Sequence, residues 1–301
     1  MMDELVRASL QQTTLNSYSN VLRNVHRFLS DKLNVPSLLP LNVSVTGLYV
    51  THLYQLGLQA SIIRTHLSAI SFAHKMRDLK DPTQTFYIKK LVSAIDKAKP
   101  SSDSRVPITF SILQGLVEAV QVCASSPFES ALFSAMMLFA YYACLRVGEI
   151  AASAGVKNTI QASQITGIGR PGMIKAYRIK FENYKHSDGS NPSIQINADP
   201  ALRFCPVAFL TTYLKFRGDK PGALFLSPKQ TPVTRLKFLQ VLHQSLTYLD
   251  IPKQHFNTHS FRIGRCTDLA LEGYSVEQLK LAGRWKSNAF MGYIRPKVFI
   301  I

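Results

Sequence analysis

The sequence predicts a mainly α protein with a small antiparallel β-sheet, organised as two domains. Three observations carry that expectation. Apolar residues recur every three or four positions along most of the chain. One central stretch changes to alternation with β-forming residues. A short segment rich in serine, flanked by prolines, separates one set of helical patterns from the rest. At 301 residues the chain is long enough for two ordinary domains, and 46% hydrophobic content suits packed cores.

Taken in order, Thr13 or Thr14 is suited to cap a first helix whose apolar positions are Leu15, Tyr18, Leu22, Val25, Phe28 and Leu29. The same period continues over 43–56, 60–76 and 86–98, so four helices form an N-terminal helical domain over residues 10–99. Residues 100–106, with Ser101, Ser102 and Ser104, lack a core-forming face and read as a linker, the alternative being a surface loop inside one domain. The second domain spans 107–301 and begins with helical patterns over 111–122 and 129–153. Between Gln161 and Asn197 the character changes: 176–181 and 193–196 read as strands, and 183–190, with Asp188-Gly189, as the turn joining them. Helical period returns over 206–216, 234–249, 260–271, 275–282 and 289–294, with Ser275 and Gln278 matching a capping box.

Lys and Arg number 35 against 18 Asp and Glu, a formal net charge of +17 that both domains share. A folded chain this basic suits a polyanionic partner, because each neutralised phosphate releases counterions. Four cysteines without CxxC pairs read as buried or half-buried free thiols of a reducing, intracellular compartment. Charged residues within the first seven positions argue against a signal peptide. The longest apolar run, 131–145, is shorter than the roughly 20 residues of a membrane span and reads as a buried helix, so no membrane partner is expected.

Chemistry concentrates near the C-terminus, in Thr258-His259-Ser260-Phe261-Arg262 and in Met291-Gly292-Tyr293-Ile294-Arg295. His259 and Arg262, three apart on a helix, share a face. With them, a tyrosine has what metal-free phosphodiester chemistry requires: groups to hold a phosphate and a phenol to attack it. Upstream, Cys144-Leu145-Arg146-Val147-Gly148-Glu149 adds another arginine after a strongly apolar stretch. Read alone, Tyr293 is a core residue and Arg146 with Glu149 a surface ion pair. Together the three motifs point to chemistry.

Arg146, His259, Arg262 and Tyr293, in that order and in those contexts, resemble the tyrosine recombinase (phage integrase) family. The likeness covers nearly the whole chain once the N-terminal helices are included. Gly283-Arg284-Trp285-Lys286-Ser287 with Tyr293-Ile294-Arg295 looks most like recombinases of eukaryotic mobile elements of the Crypton and DIRS kinds. The resemblance implies a helical core-binding domain that closes with a mixed α/β catalytic domain around double-stranded DNA as a clamp. It implies a Tyr293 nucleophile that forms a 3′-phosphotyrosyl link, and arginines 146 and 262 gripping the phosphate. His259 would donate to the phosphate or move a proton, with Glu149 orienting its neighbours. It further implies no cofactor and no metal, a DNA-bound homo-oligomer, a tetramer when two sites are paired, and a nuclear location if the host is eukaryotic.

Lys185, in the turn between the strands, is the candidate general acid by likeness to a catalytic lysine on a β-hairpin in the family, with Lys180 the fallback. Family members carry His or Trp nine residues before the nucleophile; here that position is Arg284, and Trp285, the single tryptophan, stands eight before. Two accounts stay open: Arg284 supplies the phosphate contact by position, or Trp285 supplies an indole N–H by residue type. Arg64, Lys75, Lys89, Lys90 and Lys97 are the candidate DNA-contacting residues of the helical domain. Gly167, Gly169 and Gly172 match a dinucleotide-binding spacing, but Pro171 inside it and the lack of a following helix argue against that use. The rival readings are a catalytically silent DNA-binding protein derived from a mobile element, and a type IB-like topoisomerase.

Overall fold

A computed structural model describes residues 9–10, 12–35, 38–100, 103–153, 159–170, 172–182 and 192–295. By its internal contacts the chain divides into two compact units, residues 1–103 and 104–301.

In the first unit, four helices, α1 (Gln12–Leu33), α2 (Val43–Gln55), α3 (Ala60–Lys75) and α4 (Phe86–Ala98), share one core. Val21, Val25, Phe28 and Leu29 of α1 line it, as the period of the sequence dictates. Thr13 and Thr14 do not cap that helix; they lie inside its first turn. Asn42 caps α2, its side chain accepting the Val45 N–H. His74, fully buried, is tied at both ring nitrogens, to the Ile70 carbonyl at 2.8 Å and the Leu41 N–H at 2.9 Å. Since Nε2 there accepts, the ring is held as the neutral Nδ1–H tautomer.

The second unit begins with α5 (Phe110–Cys123), capped by Thr109, and α6 (Pro127–Tyr142), capped by Ser126. Pro127 opens α6 with a preset φ, and Glu129 places negative charge at its N-terminal turn. Residues 131–141 are buried throughout, so this helix is apolar on all sides at the centre of the unit. The helix expected over 129–153 is not continuous. It stops at Tyr142, Cys144 adopts a left-handed φ of 48°, and a separate turn, α7 (Val147–Ile150), follows with Arg146 at its cap. Leu145 and Ile150 stay buried across the break, which preserves an apolar pattern and hides it from the sequence.

Strands β1 (Ile165–Arg170), β2 (Met173–Lys180) and β3 (Ser193–Asn197) form one antiparallel sheet in chain order. Tyr177 pairs with Ile196 and Ile179 with Ile194. Tyr177, Ile179 and Ile196 are buried, while Arg178 and Lys180 are exposed. β1 was not expected, because Gly167 and Gly169 dilute its strand signal; those two glycines of the spacing lie in this strand, with a register shift between Ile168 and Gly169, and Gly172 lies in the turn before β2. The turn expected over 183–190 lies outside the described residues.

Then come α8 (Pro206–Arg217), α9 (Arg235–Tyr248), α10 (Ser260–Leu271) and α11 (Val276–Gly283), the last with the reciprocal Ser275 and Gln278 capping box. A 3₁₀ turn, Asn288–Tyr293, stands where a helix was expected over 289–294. Three hydrogen bonds fasten the start of the unit to α10 and the segment before it: Val106 N–H to the His255 carbonyl (2.9 Å), Ile108 N–H to the Ser260 carbonyl (3.0 Å) and Phe110 N–H to the Asp268 carboxylate (2.8 Å). At Gly264 the backbone of α10 lies so close to Ile108 that a Cβ would overlap the Ile108 carbonyl. Cys144, Cys205 and Cys266 are buried free thiols; Cys123 is exposed, because it ends α5 at the surface, contrary to expectation. No helix among the described residues is long and apolar enough to cross a membrane.

Candidate active site

His259, Arg262, Trp285 and Tyr293 meet in the second unit. Asn257 shapes the turn into α10, its side chain accepting the His259 N–H at 2.8 Å, so His259 stands at the cap of the helix that carries Arg262. His259 Nε2 lies 3.2 Å from the Tyr293 hydroxyl. Arg262 is completely buried, with its guanidinium 4.1 Å from the Trp285 ring centre and 5.5 Å from that of Tyr293. The Trp285 and Tyr293 rings are themselves 5.1 Å apart. Gly283 makes room for this stack, since a Cβ there would overlap the indole.

Arg262 donates to the carbonyls of Cys144 and Gly283, and its Nε is buried with no partner among the described residues. Buried Arg217 offers a contrast. Its Nε, Nη1 and Nη2 all bond carbonyls, of Leu224, Gly218 and Ala223, and it serves the loop after α8. A buried donor without an acceptor is uncommon in folded proteins and calls for an explanation.

Glu149 gathers the other two arginines. Its carboxylate accepts from Arg284 at 2.8 and 3.2 Å and from Arg146 at 3.3 Å, and takes the Arg146 backbone N–H at 2.8 Å. Although burial opposes ionisation, these cations and hydrogen bonds hold the carboxyl below its usual range. Arg284, 4% exposed at its side chain, also stacks on Phe181 at 3.8 Å. Its Nη1 and Nη2 are thus committed to Glu149 while its Nε, like that of Arg262, is buried with no partner among the described residues, and the indole of the next residue lies beside Arg262 and Tyr293. The left-handed Arg284 backbone, φ 56°, sends these neighbouring side chains to different partners.

His259 is pushed down to about 4, first by burial and then by the charges of Arg105, Arg262, Arg146 and Arg235. At neutral pH the imidazole is uncharged and Nε2 can accept the phenol proton. Arg105 and Arg235 were not singled out from the sequence. Arg105 falls in what reads as linker. Arg235 leaves a faint signal, a cation in the first turn of α9, where the helix dipole disfavours it.

Lys185 lies outside the described residues. Lys180 is exposed at the end of β2. In the first unit, Arg64, Lys75 and Lys89 line an open cavity of about 640 Å³, where Arg64 pairs with Asp96, and Lys75 stands 3.6 Å from Asp81. Lys90 sits over the Phe86 ring at 5.3 Å, and Lys97 is exposed farther along α4; neither lines that cavity.

No protein-family model matches the chain, and no curated protein does. Solved structures do. The Tn1549 transposon integrase in complex with transposon right end DNA aligns over 99% of this chain and 93% of its own, with a TM-score of 0.68 and 14% identity. A lambda integrase dimer bound to a COC′ core site covers 99% and 77%, with a TM-score of 0.65 and 14% identity. The XerH site-specific recombinase bound to a palindromic difH substrate covers 92% and 75%, at 0.66 and 14%. At such identities the likeness is one of fold: a mostly helical chain with the small antiparallel sheet of the integrase catalytic domain.

Two measurements check this geometry. Arg284→Ala leaves Glu149 buried with Arg146 as its remaining cation, and is expected to destabilise the second unit by about 3 kcal/mol or more; urea unfolding followed by Trp285 fluorescence reads that unit, and a loss under about 1 kcal/mol, the range of surface pairs, contradicts the pairing. For His259, an unfolded histidine titrates near 6.5, so between that pH and about 4 the unfolded chain binds a proton that the folded one excludes. The contribution to stability is complete above about 6.5 and is lost as the pH falls toward 4. Proton NMR of the His259 ring in the free protein should still show neutral imidazole at pH 6; a midpoint at or above 6.5 contradicts it.

Proposed function

We propose that this chain is a tyrosine recombinase that cuts and rejoins double-stranded DNA through Tyr293. The observation that carries the reading is the 3.2 Å approach of the Tyr293 hydroxyl to a neutral His259, beside the rings and guanidinium of Trp285 and Arg262. A phenol with pKa near 10 is ionised in about one molecule in a thousand at pH 7. An adjacent base and stabilisation of the phosphorane are therefore what the reaction requires.

In this reading the phenol oxygen bonds to a DNA phosphorus and its proton passes to His259. The bond from phosphorus to the 5′ oxygen breaks, and Lys185 returns a proton to that oxygen. Arg146 and Arg262 hold the non-bridging oxygens, the orphaned Arg262 Nε being one of the donors a phosphate satisfies. Because Arg262 is completely buried and its Nη1 and Nη2 are held by carbonyls, a phosphate reaches it only with a local rearrangement around the guanidinium. A free 5′ hydroxyl on a partner strand reverses the steps, so the energy of the broken bond is retained in the 3′-phosphotyrosyl link and no nucleotide cofactor or metal is used.

Glu149 and Arg284 act as a pair that fixes Arg146, and Trp285 serves the nucleophile. Arg64, Lys75, Lys89, Lys90 and Lys97 of the helical unit supply phosphate contacts that set affinity without reading sequence. The fold shared with a lambda integrase dimer on DNA supports a homo-oligomer on DNA, and a tetramer in the paired complex follows from the resemblance of the site motifs to the family. Kinship with recombinases of Crypton and DIRS elements, intracellular and nuclear in a eukaryotic host, rests on the residues around Trp285.

Tyr293→Phe removes one hydroxyl from a large phosphate-dominated interface, so it should abolish covalent capture of a nicked duplex while leaving DNA affinity within about twofold. Denaturing electrophoresis and a binding titration read the two effects. An adduct that persists in the variant assigns the nucleophile elsewhere; absence of any adduct in the parent protein leaves the silent DNA-binding reading. Strand transfer between two duplexes separates a recombinase from a topoisomerase.

A further inference from the structure

One hydroxyl on α10 hydrogen-bonds the backbone of the nucleophile segment at two residues. Thr267, 2% exposed, lies five residues beyond Arg262 on the same helix. Its Oγ1 is 2.8 Å from the Ile263 carbonyl one turn back, 3.0 Å from the Tyr293 carbonyl, and accepts the Arg295 N–H at 3.1 Å. One hydroxyl proton is shared between the two carbonyls, and a lone pair takes the amide. Tyr293 ends the 3₁₀ turn, where a carbonyl otherwise lacks a partner within the turn.

A second hydrogen bond runs from the Cys266 Sγ–H, a weak donor, to the Phe290 carbonyl at 3.9 Å, three residues before Tyr293, and the remaining packing is apolar. Cys266, Leu269, Leu279 and Phe290 form a small apolar cluster, against which Trp285, Tyr293 and Ile294 pack. Apolar contact holds the turn close but is non-directional. It does not set how far the backbone at 293 slides along α10. Hydrogen bonds to both Tyr293 and Arg295 do fix that register, measured from the helix that carries Arg262.

We infer that Thr267 is a positioning residue for Tyr293: its hydroxyl fixes the backbone of residues 293–295 on α10 and so sets the reach of the phenol toward His259 and Arg262. This rests on the proposed reading for its catalytic consequence, but not for the attachment itself.

The experiment compares Thr267→Val, which keeps the shape and removes the hydroxyl, with Thr267→Ser, which restores the hydroxyl. Hydrogen exchange of the full-length protein without DNA reads the attachment directly. Exchange in the peptide covering 288–295 should rise at least tenfold in T267V and return to within about threefold of the parent in T267S, with the 260–266 peptide unchanged. Single-turnover adduct formation at saturating protein should fall by about tenfold or more in T267V. DNA affinity should stay within twofold, and T267S should recover most of the rate.

Unchanged exchange at 288–295 in T267V overturns the attachment. A faster exchange with an unchanged adduct rate overturns the positioning role. Exchange rising equally across α10 assigns Thr267 to general helix stability and also overturns it. If the parent protein forms no adduct, the recombinase reading and the catalytic consequence fall together, and the exchange data decide the attachment alone.

Discussion

Burying guanidinium groups near one another is the constraint on which the second unit depends. A charge taken out of water needs acceptors or an opposite charge, or the fold loses several kcal/mol. Arg146 and Arg284 share the Glu149 carboxylate, while Arg262 draws on the Cys144 and Gly283 carbonyls. Both carbonyls come from turns around a left-handed residue, Cys144 itself and Arg284 just after Gly283. Left-handed backbone at non-glycine residues costs on the order of 1–3 kcal/mol, and here it flanks the same guanidinium. The break after α6 and the end of α11 are, on this view, shaped by what Arg262 requires.

One carboxylate does not balance the cations it faces. Arg146, Arg262 and Arg284 against Glu149 leave an excess of two positive charges, with Arg105 and Arg235 close enough to depress His259 further. In water such an excess is screened; in a partly buried site it attracts an anion and holds the imidazole neutral. The same electrostatics therefore serve both needs of the proposed chemistry, a place for a phosphate and an acceptor for the phenol proton.

Much of the fold was legible because it is written in periodicity. The helical spacing of Leu15 to Leu29 and of the residues before Met76, and the alternation of 176–181, give the mainly helical chain with its small sheet. Where a break preserves burial, as between Tyr142 and Val147, periodicity is blind to it. Strand β1 was lost for the opposite reason: two glycines remove the side chains that carry the signal. At the site, local motifs pointed to His259, Arg262 and Tyr293, and these do converge. The Arg284 and Glu149 pair spans 135 positions, and no local pattern encodes it. Spacing favoured Arg284 for the position beside Tyr293, while in the folded chain the indole of Trp285 is there. Thr267 was unremarkable in sequence because a threonine's usual helix partner, the carbonyl four residues back, explains it until Tyr293 is seen at the same hydroxyl.

On the proposed reading, Tyr293 forms a covalent bond to DNA at this cationic site. The most direct measurement is peptide mapping by mass spectrometry of the species formed with nicked duplexes drawn from the DNA flanking its own gene. A nucleotide joined through its 3′ phosphate to the peptide that holds Tyr293, formed without added metal, is the expected result. Attachment to another residue, linkage through a 5′ phosphate, or strand breakage that requires a divalent cation and leaves no adduct would contradict it.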